Sequence, residues 1–148
     1  MAIRKSQTLI TTAPLPVPSR DWRDSAGAVV DFWGVVRALE DDREISGIDY
    51  EAHPEMAQHQ MEMLVEKARS EFGLEEVILR HRIGFVPAGE ASLFLRSTSR
   101  HRAAAFAGSE WMIVELKKKV PIWKRPLFVR KPARRRIGQT ASRSVGSS

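Results

Sequence analysis

Three basic clusters in this chain have the residue types and positions to bind an anion. Arg37 ends a predicted strand, the Arg100–Arg102 triplet begins a predicted helix, and the Lys117–Lys124 stretch surrounds the end of that helix. Strand ends and helix starts can meet in one pocket, and a helix N-terminus offers free N–H groups to an anion. The sequence therefore predicts a pocket for a phosphate or carboxylate ligand, with ordinary solvated surface charge as the alternative.

The lysines of the third cluster are candidates for acid–base chemistry. Lys117, Lys118 and Lys119 crowd like charges at a helix end, and their mutual repulsion disfavours full protonation. Lys124 lies beyond Pro121 in a partly apolar stretch. A lysine that loses its proton near neutral pH can act as a nucleophile or general base. The alternative for the lysine run is a frayed, solvated helix end.

Composition limits the chemistry that the chain can perform. Its 148 residues are 43% hydrophobic and 28% charged, which is typical of one soluble globular domain. The net charge of +6 is uneven, because residues 117–148 contain Lys and Arg but no acidic residue. The absence of cysteine excludes disulfides, thiolate metal sites and cysteine nucleophiles, so sulfur chemistry would need sulfur from a partner. We find no membrane-length apolar run and no secretory signal, and we expect a cytoplasmic protein.

Several common functional motifs are missing from the sequence. The four histidines share no metal-ligand spacing, so we predict no metal, and His81 fits the inward face of a strand as a structural residue. P-loop, GxGxxG and GxSxG patterns are absent, and we predict no cofactor. The Arg134–Arg136 run lacks the interleaved aromatic residues that stack bases, so nucleic acid is a weakly supported partner.

The hydrophobic pattern predicts a β-β-α-β-β-α order. Alternation predicts strands over residues 27–37, 48–52, 77–83 and 93–95, and helical spacing predicts helices from Pro54 to Gly73 and from the Ser97–Ser99 cap to near Val120. Residues 39–46 are predicted to form a loop. This order, with hairpin-length connections, favours an α+β fold with a mostly antiparallel sheet and two main helices.

The composition along the chain predicts three parts. Residues 1–26 contain a proline-rich PLPVP segment and are predicted to be an extended lead-in. Residues 27–130 are predicted to form the domain. Residues 131–148 are rich in Arg, Ser and Gly, and we expect a basic, mobile tail.

Five segments together resemble the large, catalytic subunit of molybdopterin synthase. They are GAVVDFWGVVR (27–37), GIDYEAHPEMA (47–57), VILRHRIGFVPAGE (77–90), SRHRAAAF (99–106) and LKKKVPIWKR (116–125). The resemblance implies an α/β hammerhead-type fold and a homodimer. It also implies that each copy binds a small ubiquitin-like sulfur-carrier subunit, which gives a heterotetramer. Such a sulfurtransferase moves sulfur twice from the carrier's C-terminal thiocarboxylate to cyclic pyranopterin monophosphate, making the molybdopterin dithiolene.

The resemblance also implies roles for individual residues. Lys117 and Lys124 match the two active-site lysines of the family, and Arg37, His101 and Arg102 match residues that line the pocket for the anionic substrate. We hypothesise that Lys117 activates the thiocarboxylate and that Lys124 assists proton transfer at the pterin, with the two roles exchangeable.

Two other functions remain open from the sequence. One is a basic nucleic-acid-binding module that uses residues 117–143. The other is a non-catalytic paralogue that only binds the carrier, an alternative raised by Pro126, which stands where the family usually has an acidic residue.

Overall fold

The computed structural model describes residues 6–129, which form two sheets and two helices. The elements in chain order are β1 (Ser6–Thr11), β2 (Ala28–Val35), β3 (Leu39–Glu40), β4 (Arg43–Ala52), α1 (Pro54–Phe72), β5 (Glu76–Arg82), β6 (Gly84–Pro87), β7 (Ala91–Ser99), α2 (Arg102–Lys119) and β8 (Ile122–Phe128). Neither helix is long and apolar enough to cross a membrane within this part of the chain.

The larger sheet has the strand order β1-β5-β7-β2. The β1–β5 pair is parallel, and the β5–β7 and β7–β2 pairs are antiparallel. Both helices contribute to the main core beside this sheet, where Met61 and Val65 of α1 and Met112 of α2 are buried with Val77 and Leu79 of β5. Burial of these apolar side chains fixes the helices against one face of the sheet.

The smaller sheet is built on β4. It has the order β3-β4-β6, and β8 also pairs antiparallel with β4. A second small core contains Val36, Ile45, Ile48 and Val86. The predicted fold class is confirmed: the described residues form a mostly antiparallel α+β fold with two main helices.

The predicted ends of both helices and the predicted start of α1 are confirmed, but the predicted start of α2 is not. Helix α1 has Pro54 in its first turn and ends at Gly73, whose φ of 67° is the left-handed conformation that glycine adopts easily. Helix α2 ends at Val120, directly before Pro121. Its predicted cap at Ser97–Ser99 is wrong, because those residues are buried in β7 and continue its pairing with β2.

Three strands within the predicted domain, β3, β6 and β8, were not predicted from the pattern. Residues 39–46, expected as a loop, contain a tight β3–β4 hairpin whose turn residues Asp41 and Asp42 have φ values of 52° and 61°. Strand β6 begins at Gly84, directly after the predicted strand 77–83, and pairs with β4. Strand β8 follows the helix-ending proline.

The expected lead-in contributes a strand to the fold. Strand β1 lies within residues 1–26 and pairs with β5, so part of that segment belongs to the larger sheet. The division at residues 26 and 130 stays a prediction. The predicted mobile tail 131–148, including Arg134–Arg136, lies outside the described residues.

After β1, the lead-in is tied to the larger sheet by two arginines. Arg80 donates a hydrogen bond to the carbonyl of Pro16 at 3.1 Å, and Arg96 donates one to the carbonyl of Ser19 at 2.5 Å. Arg96 is only 3% exposed and also holds both carboxylate oxygens of Asp31, at 2.7 and 2.9 Å. The Asp31 hydrogen bonds, together with its charge, raise the pKa of Arg96.

We expect Asp31→Asn to destabilise the protein, because it leaves the buried Arg96 guanidinium without its carboxylate. The expected loss is about 1.5–3 kcal/mol in the free energy of unfolding. Asp49→Asn is the matched control, because Asp49 pairs with an exposed arginine, Arg125, and should cost less than about 1 kcal/mol. Urea denaturation measures both, and equal losses would contradict this account of Arg96.

Candidate active site

One cleft brings the C-terminal end of α2 together with β8, β4 and the larger sheet. It has a volume of about 220 Å³. Its wall includes the apolar side chains of Leu93, Leu116, Val120 and Ile122. Its polar lining residues are Tyr50, His81, Ser92, Lys117 and Lys124. Both predicted active-site lysines therefore line the same cleft.

Of the three consecutive lysines at the end of α2, only Lys117 lines the cleft. Lys118 and Lys119 form ion pairs with Glu115, with N–O distances of 3.7 and 3.2 Å. Lys117 has no carboxylate partner among residues 6–129. The last turn of α2 therefore gives the three ammonium groups two different environments, although they are neighbours in sequence.

Lys124 reaches the cleft because of the strand alternation in β8. It stands directly opposite Tyr50 of β4 in the antiparallel register, and directly paired residues project from the same face. Its neighbour Arg125 projects from the other face and pairs with Asp49 at 2.8 Å. Pro121 ends α2, and strand β8 follows it and places a second lysine in the cleft.

Arg37, His101 and Arg102 do not line this cleft. All three are exposed, with Arg37 after the end of β2, His101 at the N-cap of α2 and Arg102 at its first residue. Arg102 and Lys117 are fifteen positions apart on one helix, which separates them by about 22 Å along its axis. Within one chain, the five predicted residues therefore do not share one pocket. Lys117 and Lys124 line the cleft, while His101 and Arg102 follow the Ala28–Ser99 end of the β2–β7 pair and Arg37 follows its opposite end at Val35.

Three polar residues of the cleft were not proposed as functional residues from the sequence. Ser92 donates a hydrogen bond to the Tyr50 hydroxyl at 3.1 Å, and the Tyr50 ring meets the His81 ring edge-on, with centroids 5.2 Å apart. Burial raises the pKa of the Tyr50 phenol. The alternation of β5 predicted that His81 faces inward, but the pairing of β4 with β6, which sets Tyr50 opposite Gly84, was needed to bring Tyr50 to it.

The composition of the lining determines what the cleft can do. It combines two ammonium groups with a histidine and two hydroxyls, and its described lining contains no carboxylate. Residues 6–129 also contain no cluster of three or more His, Asp or Glu side chains suited to a metal ion. Such a lining can bind an anion and move protons.

The fold is that of several solved structures. A molybdopterin synthase structure from Staphylococcus aureus superposes with a TM-score of 0.73 at 23% identity, covering 88% of this chain and 96% of that one. A complex of subunits 1 and 2 of molybdopterin-converting factor from Helicobacter pylori gives a TM-score of 0.61 at 20% identity, covering 93% and 98%. The two-helix α+β fold of this chain is thus the fold of these two structures.

The chain belongs to the MoaE protein family, which matches residues 10–119. A curated relative, the molybdopterin synthase catalytic subunit of Thermoplasma volcanium, is 37% identical over 115 residues, covering 78% of this chain and 84% of the relative. Several other curated relatives are longer, and the chain spans 54% of their length. The resemblance to this family is therefore confirmed, and the matched residues begin within β1 and end at Lys119.

Proposed function

We propose that this chain is the catalytic subunit of a molybdopterin synthase. It transfers sulfur from the C-terminal thiocarboxylate of a small ubiquitin-like carrier subunit to cyclic pyranopterin monophosphate, and the product is the molybdopterin dithiolene. The observation that carries this proposal is that Lys117 and Lys124 line one cleft without a carboxylate in its described lining. The names of the relatives support the same reaction.

The chemistry of the reaction matches the cleft. Cyclic pyranopterin monophosphate and the thiocarboxylate are both anions, and the two ammonium groups that line the partly apolar cleft can attract both. The chain has no cysteine, and none is needed when the partner supplies the sulfur. The reaction also needs proton transfers, which lysine can perform where its surroundings favour the neutral amine.

The two lysines have separate proposed roles. Lys117, at the helix end, binds and activates the thiocarboxylate of the carrier tail. Lys124, on β8, assists proton transfer at the pterin. These roles follow from the resemblance, and the shared cleft supports the idea that both act on one bound substrate.

His101 and Arg102 are proposed to reach the substrate from a second copy of the chain. Both are exposed and do not line the cleft of their own chain, whereas Arg37, the other proposed substrate-binding residue, lies two positions after Val35 of that cleft. A homodimer that placed His101 and Arg102 at the partner's cleft would bring them to the substrate that Lys117 and Lys124 bind. Two carriers bound to the dimer would give the heterotetramer. A cytoplasmic location for this reaction stays a prediction.

Reconstitution with the purified full chain tests the proposed function. The chain, the thiocarboxylated carrier and cyclic pyranopterin monophosphate should together give the dithiolene product, whereas a carrier ending in an ordinary carboxylate should give none. A carrier that binds without any product would show the non-catalytic paralogue instead. Binding of nucleic acid without any carrier binding would favour the basic-module alternative.

A further inference from the structure

His81 is a buried, ionisable residue of the cleft that the proposed lysine chemistry does not use. It is 7% exposed and lies two positions after Leu79 on the inward face of β5. Its Nδ1 lies 2.8 Å from the carbonyl oxygen of Arg82. Because a carbonyl can only accept, Nδ1 must carry the proton in the neutral ring, and Nε2 keeps its lone pair. Nε2 is therefore the ring nitrogen left for a ligand in the cleft.

The ring of His81 is held in a fixed orientation. The backbone hydrogen bond to the Arg82 carbonyl holds one edge, and the Tyr50 ring contacts it at an interplanar angle of 75°. Ser92 in turn holds the Tyr50 hydroxyl. A ring positioned in this way keeps Nε2 aimed in one direction, which is what proton transfer to a bound substrate requires.

The surroundings of His81 favour its neutral form. The polar groups that share the cleft with it are Tyr50 on β4, Ser92 on β7, Lys117 on α2 and Lys124 on β8, and the residue paired with it on β1 is an isoleucine. None of these is a carboxylate that would stabilise an imidazolium. Burial lowers the pKa of His81, although its hydrogen bond to the Arg82 carbonyl raises it in part. At neutral pH the cleft therefore contains an imidazole that can accept a proton.

We propose that His81, through Nε2, is the proton acceptor of this cleft during sulfur transfer, an inference that rests on the proposed function. Once sulfur from the carrier's acyl carbon has bonded to a substrate carbon, it bridges the two as a thioester. Water attacks the acyl carbon, a C–O bond forms, and the C–S bond breaks with its electron pair on sulfur. One proton of the water passes to Nε2 and then to the thiolate, and the other leaves as the carboxyl group ionises.

Two substitutions of His81 test this role. His81→Asn keeps a donor close to the Nδ1 position for the Arg82 carbonyl, and His81→Gln keeps an amide close to the Nε2 position, but neither side chain is a base. Both should lower kcat by about 10²-fold or more and should still bind the carrier. The matched control is His59→Gln, since His59 is exposed on α1 and lies outside the cleft.

The pH dependence separates a proton acceptor from a merely structural residue. In the unsubstituted protein kcat should fall as the pH is lowered, because a protonated Nε2 cannot accept a proton. This acid limb should disappear from the residual activity of His81→Asn. Retention of the acid limb by this variant, at an unchanged or a lowered rate, would overturn the role of His81, while loss of turnover in Lys117→Ala would leave the proposed function standing. An unsubstituted chain without turnover would overturn both.

Nitrogen NMR of the full chain decides the matter should neither variant fold. At neutral pH the His81 ring should be the neutral tautomer with its proton on Nδ1, and the Nε2 signal should shift when cyclic pyranopterin monophosphate binds. A ring protonated on Nε2, or an Nε2 signal that saturating substrate leaves unchanged, would overturn the proposal.

Discussion

Lys117→Ala is expected to lower the kcat for sulfur transfer by about 10²–10³-fold, whereas Lys118→Ala should leave it close to the unsubstituted value. The two residues are adjacent in sequence, carry the same charge and lie in the same last turn of α2. Only Lys117 lines the cleft, and Lys118 pairs with Glu115. A difference in kcat between the two variants therefore reports the position of the lysine and not the net charge of the protein.

Single-turnover conversion of cyclic pyranopterin monophosphate by the thiocarboxylated carrier measures this pair of variants. The unfolding midpoint should be similar for both, because exposed lysines contribute little to stability. Equal activities of Lys117→Ala and Lys118→Ala would show that the ammonium group in the cleft has no part in the reaction.

Lys124→Ala is expected to lower kcat by about 10²-fold, because it removes the amine that β8 places opposite Tyr50. Arg125→Ala is the matched control, since Arg125 projects from the opposite face of β8 and pairs with Asp49. The control should retain nearly all activity. The lost ion pair between Arg125 and Asp49 is exposed, so the Arg125→Ala variant should lose less than about 1 kcal/mol in its free energy of unfolding.

Lys124→Arg separates proton transfer from charge. Arginine keeps the positive charge but does not release its proton under ordinary conditions. If Lys124 transfers a proton, Lys124→Arg should be nearly as impaired in kcat as Lys124→Ala while binding the substrate normally. Full activity of Lys124→Arg would show that only the charge is needed at this position.

Most of the fold was predictable because its main elements have clear local signals. The alternation in residues 77–83 and the span from Pro54 to Gly73 each specify one element without knowledge of its neighbours. Strands β1 and β8 lack such a signal, because one lies in a proline-rich lead-in and the other contains Pro126 itself. Both become strands through pairing with β5 and β4, and such long-range pairing is not visible in a local pattern.

The candidate site was predictable to a similar extent. The resemblance to the family identified Lys117 and Lys124, and the fold places both in one cleft. The expectation of a single pocket that also contained Arg102 failed within one chain, because a straight helix separates its first residue from its last turn. Tyr50 and His81 come from different sheets, so their contact could be found only from the assembled structure.

Chemical labelling of the lysines, with and without substrate, tests most directly whether Lys117 and Lys124 share one binding site. Acetylation rates measured by mass spectrometry on the full chain should fall at both residues when cyclic pyranopterin monophosphate saturates the protein. The rates at Lys118 and Lys119 should stay unchanged. Equal rates at Lys117 and Lys124 with and without saturating substrate would contradict the assignment of this cleft as the active site.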